Sequence, residues 1–218
     1  MAKKIGVILS GCGFQDGAEI HESVLTLLAL DRAGAEIICM APNIDQRKVV
    51  NHHSGQDMDE KRNVLIESAR IARGEIRDIA EVHANELDGL VMPGGFGVAL
   101  NLSDFALKGP DATINPDVAR VVGEMFAQRK PIGAICISPA VLSKILESTG
   151  IKLTIGNDAG TAAAINKLGC KHENCVTEAM VVDKNNKIVS TPAYMLGPTI
   201  KHVAEGIEKT VAEVMKMA

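Results

Sequence analysis

Short apolar runs alternate along the chain with longer stretches whose apolar positions recur every three or four residues, the pattern of a parallel sheet covered by helices on both faces. Ile5–Leu9 is continuously apolar, as in a strand buried on both sides, and it runs into the glycine-rich turn Ser10-Gly11-Cys12-Gly13. Ile20, Val24, Leu27 and Leu28 follow at helical spacing, and Gly34 closes that helix. Ile37–Met40 predicts a second strand. Pro42 to Asp59 is polar and turn-rich and reads as a long loop, suited to a lid or a dimer contact. Val64, Ile66, Ala69 and Ile71 predict a helix stopped near Gly74.

Leu87–Met92 predicts a third strand that leads straight into Pro93-Gly94-Gly95, and Val118, Val121, Val122 and Met125 mark the next helix. Ile132–Ile135 predicts a strand with Cys136 at its end. Ser138-Pro139 then opens a helix through Leu146, with Ser138 as N-cap and Pro139 in the first turn. Lys152–Ile155 predicts a short strand and Thr161–Leu168 a helix. Ala179–Val182 and Ile188–Thr191 flank Asp183-Lys184-Asn185-Asn186 as a hairpin. The last helix carries Ile200, Val203, Ala204, Ile207, Val211 and Val214 on one face. No repeat, low-complexity tract or linker interrupts the pattern. Residues 1–218 therefore read as one flavodoxin-like, doubly wound α/β domain with a mostly parallel sheet and a small β-hairpin.

Composition narrows the function. Hydrophobic residues make up 46% and aromatics 2%, with one Tyr and no Trp, so the core is aliphatic and platforms for stacking nucleic-acid bases are scarce. The net charge of −4 carries no basic stripe. No apolar stretch is long enough to span a membrane, and Ile5–Leu9 is too short for a signal segment. The expectation is a cytoplasmic protein that binds neither nucleic acid nor membrane. Cys12, Cys39, Cys136, Cys170 and Cys175 are an odd set that reads as free thiols, with Cys170 and Cys175 the one pair weighed as a disulfide. No metal is expected: C-x-x-C and H-E-x-x-H are absent, and His52-His53 lacks a further ligand and reads as surface loop.

In open α/β sheets ligands bind at the carboxyl ends of the strands. Ser10–Gly13, Pro93–Gly97 and Cys136 all fall at such ends, and the fold brings them to one edge. Cys136 follows an apolar strand and precedes a helix, so a sharp turn would lift its sulfur above the sheet beside a helix N-terminus that favours a thiolate. The alternative is a buried core cysteine. Cys39, inside a strand, reads as core, while Cys12, at a strand end, is a candidate to line the site. Gly94 and Gly95 could aim backbone N–H groups at an oxyanion, or could simply form a turn. Glu19 and Glu22 share a helix face. One would partner the helix dipole, and the other, if it points into the site, would be held protonated by burial beside the sulfur. The G-x-G-x-x-x-G spacing from Gly11, with Glu36 downstream, is one residue too long for a dinucleotide fingerprint, and no cofactor is expected.

The segments at 11–22 (Gly-Cys-Gly-Phe-Gln-Asp-Gly-Ala-Glu-Ile-His-Glu), 62–74 (Arg-Asn-Val-Leu-Ile-Glu-Ser-Ala-Arg-Ile-Ala-Arg-Gly), 93–97 (Pro-Gly-Gly-Phe-Gly) and 191–195 (Thr-Pro-Ala-Tyr-Met) resemble the ElbB, or enhancing-lycopene-biosynthesis, group of the ThiJ/PfpI superfamily, also described as amidotransferase-like glyoxalases. The resemblance implies a class I glutamine amidotransferase-like fold and a homodimer. It places the nucleophile on Cys136, its acidic partner on Glu22, and oxyanion donors on Gly94 or Gly95 and on Ile137. It implies cofactor-independent conversion of glyoxal and other small 2-oxoaldehydes to 2-hydroxy acids such as glycolate. Amidotransferase and PfpI-type relatives carry a His directly after the Cys, where this chain has Ile137, and no His occurs around Ile155-Gly156-Asn157-Asp158. A Cys-His-acid triad, and with it protease or glutaminase activity, is therefore not expected. His21, about 100° from Glu22 around the helix, reads chiefly as structural, with site lining as the alternative. The rival reading is a non-catalytic member that senses oxidants through a Cys136 sulfinate or binds another protein. A role in isoprenoid biosynthesis follows from the family's naming alone.

Overall fold

The computed structural model describes residues 2–218. In chain order the elements are β1 (Lys4–Ile8), α1 (Ile20–Arg32), β2 (Glu36–Ala41), β3 (Val49–Asn51), β4 (Gln56–Met58), α2 (Val64–Ile71), β5 (Arg77–Asp78) and β6 (Gly89–Met92). They continue with α3 (Phe96–Leu100), α4 (Phe105–Lys108), α5 (Pro116–Ala127), β7 (Ile132–Ile135), α6 (Ser138–Ile145) and β8 (Lys152–Leu153). The last are α7 (Ala159–Lys167), β9 (Lys171–His172), β10 (Val181–Asp183), β11 (Ile188–Thr191) and α8 (Ile200–Met217). The main sheet has seven strands in the order β10-β11-β7-β6-β1-β2-β5, parallel except for β10. Strand order reverses at β1 and β6, the switch point at which such sheets bind ligands.

Each central strand is apolar on both sides because each faces a helical layer. Ile8, Leu90, Met92 and Ile132 pack with Val118, Val121, Val122 and Met125 of α5 on one face. Ile5, Val7, Val91 and Val189 pack with Leu30 of α1 and with Val203, Ile207, Val211 and Val214 of α8 on the other. β10 and β11 form the expected hairpin.

Several local readings are corrected. The stretch 42–59 holds a second antiparallel hairpin, β3–β4, which its polar sequence disguised. Lys152–Ile155 shortens to the two-residue β8, paired with β9 outside the main sheet. Ser138 is the first residue inside α6, not its cap: Ile137 caps the helix, and the Ser138 hydroxyl donates to Pro93 O at 2.7 Å. The face of α1 is also reversed. Ile20, Val24 and Leu28 stay 43%, 48% and 39% exposed, whereas Glu22, Ser23, Thr26, Ala29 and Leu30 are buried. The buried face is small and partly polar because α1 lies close against α8 and delivers Glu22 to the sheet edge.

Candidate active site

Cys136 directly follows β7 and adopts φ 64°, a left-handed conformation that non-glycine residues rarely take. The chain must turn there from a strand into α6 within two residues, and that turn raises the side chain over the carboxyl edge of the sheet. Its backbone N–H donates to Thr191 O at 3.0 Å, so β11 holds the turn from the side. Around the sulfur, the N–H groups of Gly95 and Ile137 act as donors, and the thiol shares a hydrogen bond with the Glu22 carboxyl.

Glu22 is wholly buried. Its Oε2 accepts from Gly94 N at 2.9 Å and its Oε1 from Tyr194 N at 3.1 Å. Glu19 takes the surface part of the acidic pair: its side chain caps α1 by accepting from Glu22 N at 2.6 Å. The division left open between the two carboxylates is thus made by position, one as cap and one inside.

Gly94 and Gly95 serve different ends. A Cβ on Gly94 would lie 2.4 Å from Cys136 Cβ, 2.6 Å from Glu22 Oε2 and 2.9 Å from Cys136 Sγ, so any side chain would fill the space the pair occupies. Its N–H is already given to Glu22, and the N–H groups that reach the sulfur are those of Gly95 and Ile137. Gly95 needs glycine for its backbone: φ is 102°, and a Cβ would meet Glu19 N at 2.3 Å and Gly17 O at 2.4 Å.

Burial and the nearby Glu19 push the Glu22 carboxyl from its ordinary 4.5 to about 8, against the pull of the Tyr194, Cys136 and Gly94 donors. Burial and the adjacent Glu22 push the Cys136 thiol well above its ordinary value, against the Gly95 and Ile137 N–H groups. The burial of both groups therefore opposes the expected resting thiolate. A helix N-terminus contributes about 0.3–1 kcal/mol to an ionised group, whereas full burial can shift a group by roughly 3–5 pH units, and burial wins. Burial thus shifts both groups toward their protonated forms.

The remaining candidates lie further out. Cys12 is half-buried, and the charges that act on it are Glu67, Arg70, Asp16 and Arg62, not the Cys136–Glu22 pair. His21 is exposed, with Nδ1 2.8 Å from the Tyr194 hydroxyl. Cys39 is buried in β2, and all five cysteines are free. Among the described residues no His, Cys, Asp and Glu cluster suits a metal. His52 braces the loop after β1: Nε2 accepts from Gln15 N at 3.3 Å and lies 3.7 Å from Asp16 Oδ1, and the ring meets Phe14 edge-on. The sequence reading missed Tyr194 as a holder of Glu22, although it singled out the segment 191–195. The pairing joins residues 172 positions apart, which no local pattern encodes.

A doubly wound sheet that carries a cysteine elbow beside a buried carboxyl defines an amidotransferase-like α/β protein with a single-cysteine site. The chain belongs to the DJ-1/PfpI family, whose model matches residues 8–195. It is 43% identical over 228 residues to the Homo sapiens protein named glutamine amidotransferase-like class 1 domain-containing protein 3, mitochondrial, covering 99% of this chain and 84% of that one. It is 32% identical over 230 residues to the Danio rerio ES1 protein, mitochondrial, covering 98% and 85%. Among solved structures, an isoprenoid biosynthesis protein with an amidotransferase-like domain from Ehrlichia chaffeensis superposes with a TM-score of 0.94, at 41% identity and 99% coverage of both chains. The ElbB-type resemblance sits within this family. Among the described residues no helix is long and apolar enough to cross a membrane.

Proposed function

We propose that this chain is a cofactor-independent glyoxalase that converts glyoxal and other small 2-oxoaldehydes to 2-hydroxy acids through a hemithioacetal on Cys136. The observation that carries the reading is the buried Cys136–Glu22 pair with the Gly95 and Ile137 N–H groups at the sulfur. The reactive form is the one in which Glu22 has given up its proton and Cys136 still holds its own, so the thiol does not need to ionise first. As Sγ bonds to the aldehyde carbon, the Glu22 carboxylate takes the thiol proton and passes it to the carbonyl oxygen, which the two N–H groups hold, so that Glu22 is again a carboxylate. Glu22 then carries the proton from C1 to C2 through an enediol, and the C1 hydroxyl proton ends on the C2 oxygen. Water hydrolyses the resulting thioester, which releases glycolate from glyoxal and returns the thiol. The proton shuttle needs the carboxylate form, so turnover rises as pH passes through about 8, the Glu22 value.

The test is loss of glyoxal and methylglyoxal on wild type and Cys136→Ala, with glycolate and lactate measured as products. Wild-type turnover that disappears in Cys136→Ala supports the reading, and turnover retained in the variant rejects it. The sensor reading is disfavoured by the same electrostatics, because a thiol held up by burial offers little thiolate to peroxide. Fast gain of two oxygens at Cys136 under mild peroxide, without glyoxal turnover, would reverse that order. Cytoplasmic residence is part of the proposal, since five free thiols suit a reducing compartment.

A further inference from the structure

The chain has one tyrosine, Tyr194, on the turn that leaves β11. Two of its groups reach two consecutive residues of α1. Its backbone N–H donates to Glu22 Oε1 at 3.1 Å, and its hydroxyl lies 2.8 Å from His21 Nδ1. The rings of His21 and Tyr194 lie 5.8 Å apart, tilted by 47°. Just before it, the buried Ala193 takes φ 44°, a conformation an alanine adopts only where its surroundings enforce it. Two residues further back, Thr191 O accepts from Cys136 N. The segment Thr191–Tyr194 thus grips the cysteine at one end and the carboxyl at the other, and the tie from phenol to imidazole closes the second grip into a ring.

We propose that Tyr194, pinned by His21, is a positioning residue that fixes the Glu22 carboxyl for proton exchange with Cys136. With Gly94 N–H on Oε2 and Tyr194 N–H on Oε1, the carboxyl group has one orientation, and freeing the phenol would let the strained turn relax and weaken the second donor. The other groups that act on Glu22 are Glu19 from its own helix and Cys136 from the β7–α6 turn. The inference rests on the Cys136–Glu22 pair of the proposed function, but not on which substrate the pair serves.

The test follows the Glu22 carboxyl itself. In full-length protein labelled with δ-13C glutamate, the resonance missing from Glu22→Gln is assigned to Glu22 and titrated. A weaker donor disfavours the carboxylate, so Tyr194→Phe and His21→Ala should each raise the midpoint by about half a unit or more. The double variant should move it no further than either single one. His21→Gln, whose amide can still meet the phenol, should return it toward wild type. Midpoints unchanged in both single variants, or shifts that add in the double variant, overturn the proposal. Should Tyr194→Phe fold poorly, the two variants at exposed His21 decide alone. Glyoxal turnover on the same samples separates the two readings: titration shifts as described in a protein without turnover would remove the glyoxalase and keep the positioning role.

Discussion

Glu22 is the residue on which the site's chemistry and its cost meet. A carboxyl raised from 4.5 to about 8 keeps its proton in the fold at pH values where the unfolded chain has released it. Between those values the folded state binds more protons, so this group's contribution is fully present below about pH 4.5 and is lost as pH rises toward 8. The expected outcome is that urea unfolding of wild type shows a fall in stability over this interval. Glu22→Gln, which has no proton to lose, should show a clearly flatter profile. A slope unchanged in that variant would place the titration elsewhere. Glu22 was legible as a candidate because Glu19 and Glu22 share a helix face. Which of the two entered the site was set by the cap at the start of α1 and by donors from Gly94 and Tyr194, far away in sequence.

At the scale of elements, the site is built from strand ends and the loops that leave them. Gly95→Ala places a Cβ against backbone atoms of Glu19 and Gly17 at an unfavourable φ, so it should cost about 3 kcal/mol or more. Gly94→Ala meets mainly the Cys136 and Glu22 side chains, so it should abolish turnover at a smaller loss of stability. Chemical denaturation and glyoxal assays on both variants separate the roles, and equal stability losses would merge them. The β3–β4 hairpin is fastened by Asp16, which is buried and accepts from Val50 N at 2.7 Å through Oδ2. Asp16→Ala leaves that N–H without its partner and should cost about 1–3 kcal/mol. The hairpin around residues 51–56 should then become the first segment cut in limited proteolysis, and cleavage elsewhere first would refute this. The hairpin was hidden because its strands are three residues each and β4 is exposed throughout, so it has no apolar alternation to read.

For the whole molecule, Ile20, Val24 and Leu28 form an apolar row along one helix that the folded monomer leaves exposed. Apolar residues at i, i+4 and i+8 on one ridge can pack against the same ridge of a second copy across a two-fold axis. We propose that the homodimer implied by the family resemblance forms through this face of α1. Sedimentation should give twice the 23.1 kDa chain mass, and Val24→Asp should return the protein to monomer; a monomeric wild type removes the dimer. The alternation of apolar runs and amphipathic helices determined the doubly wound class, because strands covered on both faces and helices covered on one have distinct periodicities. The position of Cys136 between strand and helix likewise marked the elbow. Sequence could not decide which face of α1 is buried, since close packing on α8 selects small side chains over large apolar ones. Nor could it decide the protonation of the pair, because desolvation depends on atoms that only the folded chain brings around the sulfur and the carboxyl.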